Sequence, residues 1–298
     1  MTKKTILITG ANGQLGSEFG RLQNAYPGFD FLFVTKEELA IDDSEAVKNY
    51  FEKHAVDYCI NCAAYTAVDK AEAESGLAYR INAEAAGALA GICKTHQSLF
   101  IHISTDYVFD GNGTEPYKED HPVNPMNVYG ASKLKGEQLA LQNNPGTIII
   151  RTSWVYSSFG NNFVKTMLRL MSERESINVV SDQQGCPTYA ADLATAIMQI
   201  VTQHAYSKSL GDGLPASNIY HYSNAGITNW FQFALAIKEL AGKNCIVNPI
   251  ETSQYPTPAK RPLYSVMDTS KIKSTFNIAI PFWKDSLEKC IAELSVRS

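Results

Sequence analysis

The stretch Ile6-Leu7-Ile8-Thr9-Gly10-Ala11-Asn12-Gly13-Gln14-Leu15-Gly16 decides the fold. An apolar, strand-like run passes directly into three glycines spaced three apart and then into a segment of helical character. In such a loop Gly10 makes the tight turn, Gly13 lets backbone approach a pyrophosphate, and Gly16 lets the helix pack closely on the strand. The helix N-terminus then faces the phosphate charge. The stretch therefore predicts a dinucleotide site built from Gly10, Asn12, Gly13, Gln14, Leu15 and Gly16.

Outward from this loop, strand-like and helix-like segments alternate. Strands are expected at Thr5–Thr9, Phe29–Thr35, Tyr58–Asn61, Leu99–Ser104 and Thr147–Arg151, with helices at Gln14–Ala25, Ser44–Lys53, Gly76–Lys94 and Tyr129–Gln142. The strands are near-continuous apolar runs, as a parallel sheet covered by helices on both faces requires. The fold class is α/β, a Rossmann-like doubly wound parallel sheet with a smaller C-terminal substrate-binding lobe. Residues 1–151 are expected to form the dinucleotide-binding domain and 152–298 mostly the lobe, with return strands to the sheet near Asn178–Ser181 and Ile219–Ser223. In the second half, polar loops at Ser157–Asn162 and Ser207–Ser217 separate expected helices at Phe163–Ser172, Ala190–Gln203 and Asn229–Ala241. The three prolines between Gln254 and Pro262 argue for an irregular loop.

Composition narrows the partners. The 298 residues are 45% hydrophobic and 19% charged, which suits a folded chain with a sizeable core. A net charge of −4 without a long Lys/Arg block argues against nucleic acid. No apolar run approaches the ~20 residues of a membrane span, and the few apolar residues after Lys3 and Lys4 are too short for a signal peptide; a cytoplasmic location is expected. The 6 cysteines are no disulfide framework. Cys59 and Cys62 are three apart on a buried strand, so they face opposite sides and do not suggest a metal or redox pair.

Two further patterns carry chemistry. NAD-selective sites usually end the second strand with an acid that binds the ribose 2′-hydroxyl; here Val34-Thr35-Lys36 offers a neutral and a cationic residue. That leans towards NADPH, with NADH also accepted, unless Lys36 is simply a solvated lysine. Tyr129 and Lys133, four apart at a helix start, lie on nearly the same face. A nearby ammonium would lower the phenol pKa and make Tyr129 a proton donor near neutrality. The run Ile101-His102-Ile103-Ser104-Thr105 delivers a hydroxyl at the C-terminal end of a strand, where open α/β sheets bind ligands.

Together these motifs resemble the extended short-chain dehydrogenase/reductase family over essentially the whole chain. Ser104-Thr105-Asp106-Tyr107-Val108-Phe109-Asp110-Gly111, Asn127-Val128-Tyr129-Gly130, Arg151-Thr152-Ser153-Trp154-Val155-Tyr156 and Arg261-Pro262 are similar to its dTDP-4-dehydrorhamnose reductase branch. The resemblance implies NAD(P)H-dependent reduction of the C4 ketone of dTDP-4-dehydro-L-rhamnose, for rhamnose-containing cell-surface polysaccharide. It implies Tyr129 as proton donor, Lys133 as its electrostatic partner and ribose ligand, and Thr105 as support at the substrate carbonyl. Ala63, Ala64 and Thr66 would line the cofactor, with Ile41 beside the adenine. Trp154 and Asp106 would meet the nucleotide-diphosphate sugar. Ala40 stands where the family often has Asp. Some members form homodimers through a metal held by glutamates; Glu18 matches one such position but Ala191 does not match another, so no metal site of that kind is expected.

Alternatives remain in view. Related nucleotide-sugar dehydratases carry Thr-Asp-Glu where this chain has Thr105-Asp106-Tyr107, and without that glutamate base reduction is the better reading than elimination. An epimerase, or a non-catalytic regulatory subunit related to the partner of methionine adenosyltransferase, keeps the same fold. His102 reads as a packed strand residue rather than a base, and Trp230-Phe231-Phe233 as the apolar face of a helix rather than a ligand box. Lys165, Arg169 and Arg261 either neutralise the substrate diphosphate or are solvated charges, Arg261 being the best candidate.

Overall fold

The computed structural model describes residues 3–209 and 218–297. The strands are β1 (Lys4–Thr9), β2 (Phe29–Val34), β3 (Tyr58–Asn61), β4 (Leu99–Thr105), β5 (Ile148–Thr152), β6 (Ser176–Val180), β7 (Ile219–His221) and β8 (Ile246–Ile250), besides several of two residues. Six make one sheet in the order β7-β5-β4-β3-β1-β2, with every neighbouring pair parallel. All residues of β3 and of β5 are buried; the strands are apolar until their C-terminal ends, where Asn61 closes β3 and Arg151 and Thr152 close β5.

The longer helices are α1 (Gln14–Leu22), α2 (Ser44–Lys53), α3 (Ala86–Thr95), α4 (Val128–Asn143), α5 (Phe163–Glu173), α6 (Ala190–Ser209), α7 (Trp230–Leu240), α8 (Ser270–Phe276) and α9 (Trp283–Arg297). Asp43 caps α2 by accepting from the Ala46 N–H, with Glu45 and Lys53 at the ends that suit the helix dipole. The helix expected over Gly76–Lys94 begins at Ser75 but passes through a π-turn at Arg80–Ala85 before α3. There the Asn82 side chain bonds both the N–H and the carbonyl of Tyr65, and a local widening of the helix accommodates such a residue.

One expected return strand is found: β7 joins the sheet edge beside β5. The other is corrected, because β6 pairs with β8 in a separate two-stranded sheet and not with the central one. Helix α6 continues past Gln203 to Ser209, so the loop expected from Ser207 begins later, and its residues 210–217 lie outside the described residues. Helices α8 and α9 were not expected from the sequence.

The core that covers one face of the sheet mixes both halves of the chain. Ile6, Ile8, Ile60 and Ile101 pack with Leu193, Ile197 and Val201 of α6 and with Ile272 and Phe276 of α8. A second core joins α5, α7, α9 and β6 through Val164, Ile177, Phe233 and Leu287. The C-terminal ends of the central strands face the space between these two bodies.

Candidate active site

Sequence dictates the cradle first. Gly10 adopts φ +63°, a conformation that glycine takes without strain, and a Cβ there would lie 2.8 Å from the Ala63 backbone N. A Cβ on Gly16 would come within 2.5 Å of the Gly10 carbonyl, so Gly16 packs the helix rather than lining the pocket. The cradle opens into a cavity of about 650 Å³. Gly10, Asn12, Gly13, Gln14 and Leu15 form one end of it, and Lys36, Ile41, Ala63, Ala64 and Thr66 continue the wall. Leu39 and Asp42 also line this end, Asp42 paired with Arg80 at 3.1 Å.

The other end holds the chemistry. Asn127 caps α4 by accepting from the Gly130 N–H at 2.8 Å, which fixes Tyr129 and Lys133 in the first turns. Thr105 ends β4, donates to Asp106 Oδ1 at 2.9 Å and accepts from the Tyr107 N–H at 3.2 Å. Thr105, Asp106, Tyr129, Lys133 and Trp154 all face the cavity. Lys133 is buried and donates to the Ile103 carbonyl at 2.7 Å, with His102 Nε2 at 3.3 Å.

The expected lowering of the Tyr129 pKa by Lys133 is corrected here. Burial pushes the phenol upward, opposed by a hydrogen bond with Thr105, while Asp106 and Tyr107 push further up. The Lys133 amine is directed at Ile103 and His102 instead. Burial brings Lys133 down to about 8 and raises Asp106 to about 6. Asp106 Oδ2 is buried without a hydrogen-bond donor.

Arg261 is not a free cation: it donates to Asp69 Oδ2 at 2.7 Å and bonds the Tyr107 phenol. It stands behind the cavity wall and does not line it. Arg169 pairs with Glu173 on the exposed side of α5. Glu18 accepts from Ser157 Oγ at 2.5 Å and pairs with Arg21, which also meets Glu293. Among the described residues no group of three His, Cys, Asp or Glu is placed to hold a metal.

The reading of Trp230-Phe231-Phe233 as the apolar face of a helix holds, since Trp230 packs against the second core, but Trp230 has a further contact. Phe233 of the same helix is buried in the second core, but Trp230 lines the cavity with its ring stacked on Trp154 at 3.6 Å and 10°. Trp154 has φ +46°, unusual for a bulky residue, and sits against Gly185, where a Cβ would lie 2.6 Å from its ring. Helical spacing cannot tell a core face from a pocket wall, so nothing local to Trp230 announced this role.

A glycine cradle that opens onto a Tyr-x-x-x-Lys helix start and a strand-end threonine defines a nicotinamide-dependent oxidoreductase of the extended short-chain dehydrogenase/reductase class. The chain belongs to the RmlD substrate binding domain family, whose family model matches residues 4–296. It is 40% identical to the dTDP-4-dehydrorhamnose reductase of Aggregatibacter actinomycetemcomitans, over 95% of this chain and 97% of that one. It is 39% identical to the spore coat polysaccharide biosynthesis protein SpsK of Bacillus subtilis, over 99% of both. The solved structure of a Bacillus anthracis dTDP-4-dehydrorhamnose reductase in complex with NADP superposes with a TM-score of 0.90 at 40% identity, covering 98% of this chain and 99% of that one.

Proposed function

We propose that this enzyme reduces the C4 ketone of dTDP-4-dehydro-L-rhamnose with NADPH, giving dTDP-L-rhamnose for cell-surface polysaccharide. The observation that carries this is the convergence of Thr105, Tyr129 and Lys133 at one end of a cavity whose other end is the glycine cradle. Residues 1–151 chiefly hold the cofactor and 152–298 chiefly cover the sugar.

The cradle fits a dinucleotide: a Cβ at Gly10 would collide with Ala63, and Lys36 on the wall suits a 2′-phosphate. Bound NADPH supplies the hydride that reduces the ketone carbon. Tyr129, protonated at neutral pH like any phenol and more firmly so for its burial, donates its proton to the carbonyl oxygen as alkoxide charge develops. Thr105 turns its one hydroxyl proton from Asp106 to the same oxygen, a bond strongest when that charge is greatest. Lys133 holds the cofactor ribose and, when charged, stabilises the phenolate left behind. Asp106 accepts from a sugar hydroxyl, and Trp154 with Trp230 forms the apolar wall. Tyr107, in place of a glutamate base, leaves elimination without its second catalyst.

The reading carries with it a cytoplasmic location, no nucleic-acid partner, and a homodimer that sedimentation would test; no helix of the described residues is long and apolar enough to cross a membrane. The deciding experiment follows NADPH oxidation with a panel of nucleotide-linked 4-keto-6-deoxy sugars. Turnover is expected with the dTDP-linked L-hexos-4-ulose. Turnover with a different member of the panel alone would reassign the substrate, and none at all would favour a non-catalytic subunit.

A further inference from the structure

Three adjacent strands each carry one polar residue at the same height. The register pairs Thr9 of β1 with Asn61 of β3, and Asn61 with His102 of β4. Residues opposite one another in register share a face of the sheet, and these side chains are linked. Thr9 Oγ1 lies 2.6 Å from Asn61 Oδ1, Asn61 Nδ2 lies 3.1 Å from His102 Nδ1, and His102 Nε2 lies 3.3 Å from Lys133 Nζ. All four residues are buried, with His102 at 0% exposure.

The direction of these bonds follows from donor and acceptor chemistry. A separation of 2.6 Å suits O–H···O and is short for N–H···O, so the Asn61 oxygen faces Thr9 and its amide nitrogen faces His102. That nitrogen only donates, so His102 Nδ1 accepts and the hydrogen of the neutral ring sits on Nε2. Nε2–H then points at the Lys133 nitrogen. An ammonium has donors only, whereas a neutral amine offers a lone pair.

We propose that His102 is a positioning residue acting through Lys133: held as the Nε2–H tautomer by Thr9 and Asn61, it turns a donor towards the Lys133 nitrogen, holds that side chain in place and, in addition to burial, disfavours its ammonium form. Burial and then the Lys133 charge hold His102 itself well below the usual histidine range, so the ring takes up no second proton. The groups that face the amine are Glu137 on its own helix, Cys62 beyond β3, and His102 with the Ile103 carbonyl on β4. Glu137 and Cys62 favour the charged form, against the larger effect of burial; Glu137 is itself paired with Arg151 at 2.7 Å. The chain of bonds ends at the buried Thr9, so it sets charge and position and has no outlet for conducting protons. Its catalytic consequence rests on the reductase reading: as Lys133 loses its proton, the phenolate loses its counter-charge, and activity falls.

The test uses the whole chain, free of cofactor, with 15N-labelled histidine and lysine labelled with 13C at Cε. The His102 signals, assigned by comparison with His102→Gln, should show Nε2 protonated and Nδ1 bare. The Lys133 signal, assigned with Lys133→Met, should titrate near pH 8. His102→Gln can turn its amide oxygen towards an ammonium, and Thr9→Val frees the Asn61 amide to turn over so that His102 Nε2 can accept. Both variants should raise the Lys133 titration by about one pH unit or more, and the alkaline limb of kcat/KM with it. A loss of stability alone would leave that titration where it was. Thr9→Val keeps the shape of the side chain and His102 itself, so it decides the matter even where His102→Gln does not fold. A protonated Nδ1 in the unmodified chain, or an unmoved Lys133 titration in folded Thr9→Val, overturns the proposal. Expected spectra without keto-sugar reduction would overturn the reductase reading instead.

Discussion

At the residue scale, Tyr129 is a phenol whose burial holds its proton more tightly than in water, and on the proposed function that proton goes to the alkoxide. Tyr129→Phe retains the ring and removes the acid, so kcat should fall ~10²- to 10⁴-fold while NADPH still binds, as calorimetric titration would show. Lys36→Ala should weaken NADPH and leave NADH little changed, which the ratio of the two kcat/KM values reads directly. Outside the site, His221 is buried, edge-on to Phe109, and its pKa is lowered to about 3 by burial and then by the neighbouring Arg151 cation. A depressed histidine pKa contributes stability that is present above the unfolded value of about 6.5 and is lost as pH falls towards the folded one. The slope approaches about 1.4 kcal/mol per pH unit across that window. Urea midpoints between pH 7 and 4 should therefore fall less steeply for His221→Leu than for the unmodified chain.

At the element scale, α4 is held close to the end of β4 because Gly130 has no side chain: a Cβ there would lie 2.2 Å from the Tyr107 carbonyl. Gly130→Ala must push the helix start, and with it Tyr129, away from Thr105. Overpacking of this kind costs about 1–3 kcal/mol, so Tm should fall by several degrees, and kcat should fall by more than the loss of folded protein explains. The parallel strands of the first half were legible nearly to the residue because the buried inner strands β1, β3, β4 and β5 are mostly apolar, and the half-buried edge strand β2 still carries Phe29, Phe31, Leu32, Phe33 and Val34. Tyr58–Asn61 and Ser44–Lys53 match the sequence reading at both ends. What escaped depends on distant partners. The strand β8 contains Pro249 and pairs with a strand some seventy positions away in sequence, at Val179, and Arg261 is claimed by Asp69 from the other half of the chain. The tyrosine, lysine and threonine were readable from spacing and resemblance, whereas the direction of the Tyr129 shift required knowing how dry its surroundings are.

At the scale of the whole molecule, the two halves are interlocked rather than tethered. β7 completes the edge of the sheet beside β5, and α6 and α8 cover the core built on β1, β3 and β4. A chain cut after Arg151 would expose the β5 edge and the apolar face under α6, and such a fragment should aggregate or fail to bind NADPH, which size-exclusion chromatography and titration would reveal. The full chain should instead unfold in one calorimetric transition. The tryptophan wall of the cavity carries a consequence of another kind. Of the 3 tryptophans, Trp154 and Trp230 are stacked at 3.6 Å with planes 10° apart, and the third, Trp283, is buried on the far side of Phe233, which touches both it and Trp230. Two indoles so close share their excited states, which makes the pair a single chromophore with its own circular dichroism in the near ultraviolet, and a sugar nucleotide settling against it changes the optical activity of the protein without any label.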